Sequence, residues 1–226
     1  MSDLARIRAF PASAISRNPS SRSYLRTQLA EFDGLLAGIP RGAITEVVGS
    51  PSSGRTSFVN RFLSIATRDG EYCSVVDSTK AFDPDSAKSS AIEFSRLLWV
   101  QCNAVTVNKR LEQAIKCTDL LLHAGGWGVV VLDLCDIEQH WVRRLPTSYW
   151  YRFRRAVEDT PTILMVLQRE SNVKACAALS LDMMSGQPVW SGAHPDFRVL
   201  NTMRYSSAPK RPMRQERPSF VARAIA

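Results

Sequence analysis

The sequence predicts an α/β protein, with a mainly parallel, twisted sheet flanked by helices at the centre of a 226-residue chain. Three observations predict it. Short apolar runs alternate with stretches of helical period, the pattern of a parallel sheet covered on both faces. One run, Gly128–Leu134 (GVVVLDL), is continuously apolar, as a strand buried on both faces must be. A glycine-bounded loop, GSPSSGRTS (49–57), separates a strand-like run from a helix-like one.

Taken in order, Ala43–Gly49 reads as a strand. A helix over 54–68 follows, with Phe58, Phe62 and Ile65 on one side. Tyr72–Asp77 is a strand, 84–94 a helix and 97–102 a strand. Asn108 caps a helix to His123, with Leu111, Ile115, Thr118 and Leu122 on one stripe, ended by Gly125 and Gly126. After Gly128–Leu134 comes a basic helical stretch to about Asp159, then strands over 162–168 and 177–183. No internal repeat is visible.

The net charge of +8 is unevenly placed. Residues 1–30 carry +4 (Arg6, Arg8, Arg17, Arg22 and Arg26 against Asp3), read as a basic N-terminal arm. Residues 204–226 carry +5 (Arg204, Lys210, Arg211, Arg214, Arg217 and Arg223 against Glu216). With three prolines in APKRPMRQERPS (208–219) and no hydrophobic period, this tail is expected to be disordered. The core over 31–203 is left at −1. Cationic tails favour acidic partners, nucleic acid first, and also confer solubility. The five cysteines form no C-x-x-C pair and read as buried apolar residues. His123, His140 and His194 have no ligand-spaced neighbours, so no metal role is expected. No secretory segment or membrane-spanning run is present, and the chain is expected in the cytoplasm. The arginines and serines of the first 30 residues loosely resemble a transit peptide, but a basic tail is the commoner reading.

The loop carries the chemistry. Gly49 and Gly54 let the backbone turn its N–H groups, including those of Ser52 and Ser53, toward phosphate oxygens. The helix that follows adds its positive N-terminal dipole. Thr56 has the hydroxyl that would ligate Mg²⁺, Ser57 follows it, and Asp133 stands on a later strand where a carboxylate would hold the Mg²⁺ shell. Arg55 occupies the lysine position of G-x-x-x-x-G-K-[ST]. Its planar fork is not a conservative replacement for a compact ammonium. It can attract a triphosphate or form a salt bridge to a nearby acid such as Asp133.

These stretches together resemble the RecA-type recombinases, in order from about residue 34 to about 203. GIPRGAITEVVGSPSSGRTS (38–57) is similar to their phosphate loop and its entry. DSTKAFDP (77–84) is similar to their next strand end, and EQAIKCTDLLLHAGGWGVVVLDL (112–134) to the helix and strand that follow. ILMVLQ (163–168) resembles the strand whose glutamine, here Gln168, senses the γ-phosphate, and NVKACAALSLDM (172–183) the strand after the second DNA loop. The resemblance implies a RecA-like P-loop core that takes ATP and Mg²⁺, with Asp83 at an adenine-contacting position. It also exposes departures. The catalytic glutamate falls on Thr79, which cannot act as a carboxylate base. The adenine-stacking aromatic falls near Ser86, and only three residues separate Gln168 from Asn172, where the recombinases carry a long DNA loop. Lys174 and Arg198 fall near the recombinases' subunit interfaces; an exposed cation is an equal reading of each.

The segment QHWVRRLPTSYWYRFRRAV (139–157) holds Arg143, Arg144, Arg152, Arg154 and Arg155, with Trp150 among its aromatics and no acid. Cations on phosphates and rings on unpaired bases suit single-stranded DNA. The spacing of Trp150, Phe153 and Val157 also fits the inward face of an ordinary helix, and a protein-binding surface is a third reading.

The departures suggest a RecA paralogue that has lost hydrolysis, most similar to the short RecA-like accessory (ImuA-type) proteins of bacterial mutagenesis cassettes. That resemblance implies an SOS-type role in DNA repair and translesion synthesis. Its partners would be a Y-family-like polymerase partner, an error-prone replicative polymerase, RecA and single-stranded DNA. Two alternatives stand beside it. One is a DNA-dependent ATPase in which Glu46 or Asp77 replaces the missing base. The other is a regulator of cell division on the same degraded core. Glu46 also has a structural reading, as the partner of a nearby arginine.

Overall fold

A computed structural model describes residues 23–191 and 199–223. Most of the basic N-terminal arm, His194 and Arg198 lie outside the described residues. The arm's remainder is built into the fold. Strand β1 (Tyr24–Leu25) pairs antiparallel with β2 (Ile39–Pro40), and helix α1 (Ala30–Leu36) lies between them.

The main sheet uses β3 (Ala43–Gly49), β4 (Tyr72–Asp77), β5 (Leu97–Gln101), β6 (Trp127–Asp133), β7 (Ile163–Gln168), β8 (Ala177–Ser191), β9 (Val199–Arg211) and β10 (Ser219–Arg223). Their order across the sheet is β10-β9-β8-β3-β7-β6-β4-β5. Pairing is parallel from β8 to β5, and β9 and β10 add antiparallel strands at one edge. The predicted α/β class and its mainly parallel sheet are thus present.

Side-chain alternation sends the strands into two cores. Val129, Val131, Ile163, Met165 and Leu167 face one layer, formed by α1, α2 (Arg55–Arg68) and α3 (Pro84–Ser89). Val130, Leu132, Leu164 and Val166 face the other, formed by α4 (Val107–Ala124), α5 (Gln139–Arg143) and α6 (Thr147–Glu158). Phe58 and Phe62 of α2 meet edge-on with ring centroids 4.7 Å apart. Burying such a ring contributes about 1.5–3 kcal/mol.

Several boundaries differ from the sequence reading, each for a local reason. Helix α3 stops at Ser89, because Ala91 takes a left-handed φ of 59°, and a short 3₁₀ turn at Phe94–Arg96 leads into β5. The cap of α4 is Thr106, whose hydroxyl accepts from the Lys109 N–H, while Asn108 is already inside the helix and bonds Glu112. The basic stretch is two helices, since Pro146 cannot continue α5 and instead precedes α6.

The expectation of a disordered tail from 204 is overturned for its described part. Residues through Arg211 belong to β9 and Ser219–Arg223 form β10. Tyr205, Ser207 and Pro209 alternate inward along β9. Phe220 of β10 packs on Phe58 and Tyr205 at centroid distances of 5.6 and 5.4 Å. The Glu31 carboxylate on α1 accepts from the Ser219 N–H at 2.8 Å and its hydroxyl at 2.9 Å, which ties the edge strand to the first layer.

Trp150 is 1% exposed, fixed edge-on against Phe153 at 6.0 Å, while neighbouring Tyr151 is 55% exposed. Urea denaturation is therefore expected to show Trp150→Ala losing about 3–5 kcal/mol. Tyr151→Ala is expected to stay within about 0.5 kcal/mol of the parent.

Candidate functional site

The loop from Gly49 to Ser57 joins the carboxyl end of β3 to the start of α2, the geometry expected of a phosphate loop. Ser52 and Gly54 adopt left-handed φ values of 61° and 85°. At Gly54 a side chain would be excluded twice, since a Cβ would also come within 2.6 Å of the Tyr205 ring. A Cβ on Gly49 would meet the Ser53 Oγ at 2.5 Å and the Met183 carbonyl at 2.7 Å. Ser53 Oγ is buried without a hydrogen-bond partner, while Thr56 and Ser57 are exposed on the first turn of α2. An orphaned hydroxyl beside a helix N-terminus suits a phosphate oxygen.

The charged groups point elsewhere. Arg55 is only 8% exposed, and its Nη1 donates to the main-chain carbonyl of Gln168 at 2.8 Å. No Arg55–Asp133 ion pair forms among the described residues; the guanidinium is held by the end of β7 instead. Burial raises the Asp133 carboxyl above the usual carboxylate range, opposed by the Cys135 N–H that it accepts at 2.9 Å and, more weakly, by the Arg55 charge. Asp133 lies level with Asp77 across β6 and β4.

The Gln168 side chain is turned into a buried network. Its Nε2 donates to Glu46 Oε1 at 2.7 Å, and its own Oε1 has no partner among the described residues. Glu46, 1% exposed, collects four further donors. Oε1 accepts the main-chain N–H groups of Asn172 at 2.8 Å and Val173 at 2.9 Å. Oε2 accepts the hydroxyls of Ser171 at 2.7 Å and Ser180 at 2.9 Å. The partner of Glu46 is therefore the β7–β8 connection and not an arginine, and its lone pairs are committed.

Asp77 is committed in the same way. It is fully buried, with Oδ1 accepting from Thr79 N at 3.1 Å and Ala81 N at 3.0 Å. Its Oδ2 accepts from Phe82 N at 3.1 Å and Trp99 Nε1 at 3.2 Å. Both candidates for a replacement base serve instead to hold chain segments. Asp83 caps α3 through the N–H groups of Asp85 and Ser86; the Ser86 hydroxyl and N–H hold its carboxyl below the usual range.

Residues 25–137, half of the chain, match the RecA N-terminal domain family. The chain belongs to that family. Among curated relatives, it is 32% identical to Protein RecA of Rickettsia canadensis over 98 residues, covering 43% of this chain and 27% of that protein. It is 35% identical to Protein RecA of Paramagnetospirillum magneticum over 98 residues, covering 43% of this chain and 26% of that one. The matched stretch thus spans about a quarter of these relatives' length.

Within this RecA-family core the basic aromatic segment is divided. Trp150 is core and is withdrawn from the DNA-contact set, because a buried ring cannot stack on a base. Arg143 pairs with Glu170, Arg152 with Asp119 at 2.6 Å, and Arg154 with Glu158 at 4.0 Å. Arg144 lies 5.4 Å over the Trp141 ring, and Arg155 is exposed. No group of three or more metal-ligating side chains occurs among the described residues, and no helix there is long and apolar enough to cross a membrane. The described histidines are exposed, His123 beside Asp119 and His140 beside Glu138. Lys174 is exposed with a left-handed φ of 55°.

The sequence reading missed Ser171, Asn172, Ser180 and Tyr205. Ser180 carried the one available signal, a hydroxyl in an otherwise apolar strand, ALSL (178–181), where a buried polar partner is required. Replacing Glu46 by alanine strands several buried donors. Chemical denaturation is expected to show a loss of at least about 3 kcal/mol for Glu46→Ala, against about 1 kcal/mol for Ser180→Ala.

Proposed function

We propose that this RecA-family chain is a non-hydrolysing accessory protein of DNA repair, acting as a scaffold in damage-induced translesion synthesis. The observation that supports it best is the Arg55–Gln168–Glu46 arrangement. The cation of the phosphate loop is bonded to a main-chain carbonyl, and the glutamine of the next strand is bonded to a buried carboxylate. Neither is free to report on a γ-phosphate. Thr79 supplies no base, and Glu46 and Asp77 have their oxygens occupied by other donors.

The cradle still fits a phosphate group. The orphaned Ser53 hydroxyl and the N-terminal turn of α2, with Thr56 and Ser57, would hold it, with Arg55 available only after breaking its bond to Gln168. Mg²⁺, if bound with a nucleotide, would supply charge neutralisation between phosphates. Thr56 would present its hydroxyl to the ion, and Asp133 its carboxylate, against the burial that favours its neutral form. In this reading a nucleotide is a stabilising ligand and is not consumed.

Arg143, Arg144, Arg152, Arg154 and Arg155 form a polar surface on α5 and α6 suited to single-stranded DNA or to an acidic protein. The polymerase partners, and RecA itself, are the assemblies such a scaffold would serve. Phosphate release from ATP, with and without single-stranded DNA, is expected to stay at background. Turnover that Arg55→Ala abolishes would overturn the reading. Calorimetry is expected to show ATP binding no more tightly than ADP.

A further inference from the structure

At the end of the sheet opposite the phosphate loop lies a cavity of about 540 Å³. This is within the range of roughly 300–1,000 Å³ typical of small-ligand sites. The seven residues of β3 separate the two places by about 20 Å of strand. Leu36, Pro40, Ala178, Leu179 and Pro212 supply the apolar part of its lining. Tyr24, 44% exposed, lines it too, as do Arg211 and Arg214.

The charge of the lining is unbalanced. Arg211 donates from Nη1 to the Lys174 carbonyl at 2.9 Å, which fixes the side chain and leaves its other N–H groups without partners among the described residues. Among the described residues the Arg214 side chain has neither a hydrogen bond nor an ion pair. The acid of the lining, Asp33, is occupied, because its two carboxylate oxygens accept the N–H groups of Thr27 at 2.8 Å and Gln28 at 2.9 Å. Nearby Lys210 is neutralised by Asp182 at 2.9 Å, so the surplus charge is guanidinium. Guanidinium forks suit phosphate, and an exposed ring in a partly apolar lining suits a planar base.

We propose that this cavity binds a nucleotide unit, with its phosphate on Arg211 and Arg214 and its base against Tyr24. The unit comes either from a free nucleotide or from a single strand of nucleic acid. The site is separate from the phosphate loop and from α5–α6, and it stands or falls independently of the loss of hydrolysis.

Fluorescence anisotropy with a labelled short oligo(dT), repeated across salt concentrations, tests it. Arg211→Ala combined with Arg214→Ala is expected to weaken binding about tenfold and to lower the log–log salt slope by about 0.7, the share of one single-strand phosphate. Tyr24→Ala is expected to weaken binding about fivefold or more with the slope unchanged. Ultraviolet cross-linking is expected to place the strand on Tyr24, which distinguishes this site from residues 139–157. Displacement of the oligonucleotide by AMP assigns a free nucleotide, and resistance to AMP assigns a strand; both support the site when the arginine variants respond. Arg214→Glu alters a side chain without a partner among the described residues, so it reads binding even if the double variant folds poorly. Unchanged affinity and slope in Arg214→Glu would overturn the proposal. So would competition by oligoglutamate equal to that by oligo(dT) without dependence on Tyr24, which would make the cavity an acidic-peptide groove.

Discussion

The buried carboxylate of Glu46 is the constraint around which the site end of the molecule is arranged. A carboxylate taken out of water loses several kcal/mol of hydration unless hydrogen bonds replace it. Here five donors do so, contributed by Gln168, Ser171, Asn172, Val173 and Ser180. Those residues come from the end of β7, the connection after it and β8. Because β3 lies between β7 and β8 in the sheet, one side chain on the central strand fixes both neighbours and the short chain between them. The same network reaches the helical layer, since Asn172 also donates its side-chain amide to the Val142 carbonyl at the end of α5. The brevity of the β7–β8 connection and the saturation of Glu46 are therefore one fact seen from two sides. A longer loop would not have to present its N–H groups to this carboxylate.

This arrangement separates the two halves of a phosphate site. The backbone half is intact in shape, with left-handed residues in the loop, a helix beginning at its end and an orphaned Ser53 hydroxyl. The charged half has been drawn into the fold. Gln168 supplies both anchors, its main-chain carbonyl to Arg55 and its side-chain amide to Glu46. A lysine ammonium at position 55 would be a point charge with no fork to span to that carbonyl. Arginine reaches it, and its burial removes the cation from the loop mouth. Gly54 adds a second lesson. In sequence it reads as a phosphate-loop glycine, yet the structure requires it for a different reason as well, the ring of Tyr205 lying where a Cβ would be.

How far the sequence was legible follows from which interactions are local. The parallel strands were readable because their apolar runs are continuous, and Trp150, Phe153 and Val157 signalled a helix face that the structure buries. The C-terminal strands were not readable, although β9 does alternate. Its inward positions are Tyr205, Ser207 and Pro209, so only one of the three carries a hydrophobic signal. The pairing that makes this segment a strand comes from β8, the strand just before it in the chain, and composition gives no sign of it. Arg55 shows the same limit at the site. Its identity was plain, but its acceptor, a carbonyl 113 positions away, depends on tertiary structure alone.

The arginines of 139–157 look unopposed in sequence, because no acid occurs within that segment. In three dimensions Asp119 from α4, Glu170 from the β7–β8 connection and Glu158 from the end of α6 oppose three of them. Arg144 and Arg155 remain unopposed there among the described residues, and the rest of the surplus behind the charge of +8 lies elsewhere. Arg211 and Arg214 carry part of it, at a turn that the fold holds against the N-terminal strand and helix. Attraction for phosphates depends on cations that are unmatched where the ligand arrives, and not on how many stand together in the sequence. By that criterion the C-terminal turn, which composition alone would assign to a solvated tail, is a better-organised anion site than the helix that advertises its arginines.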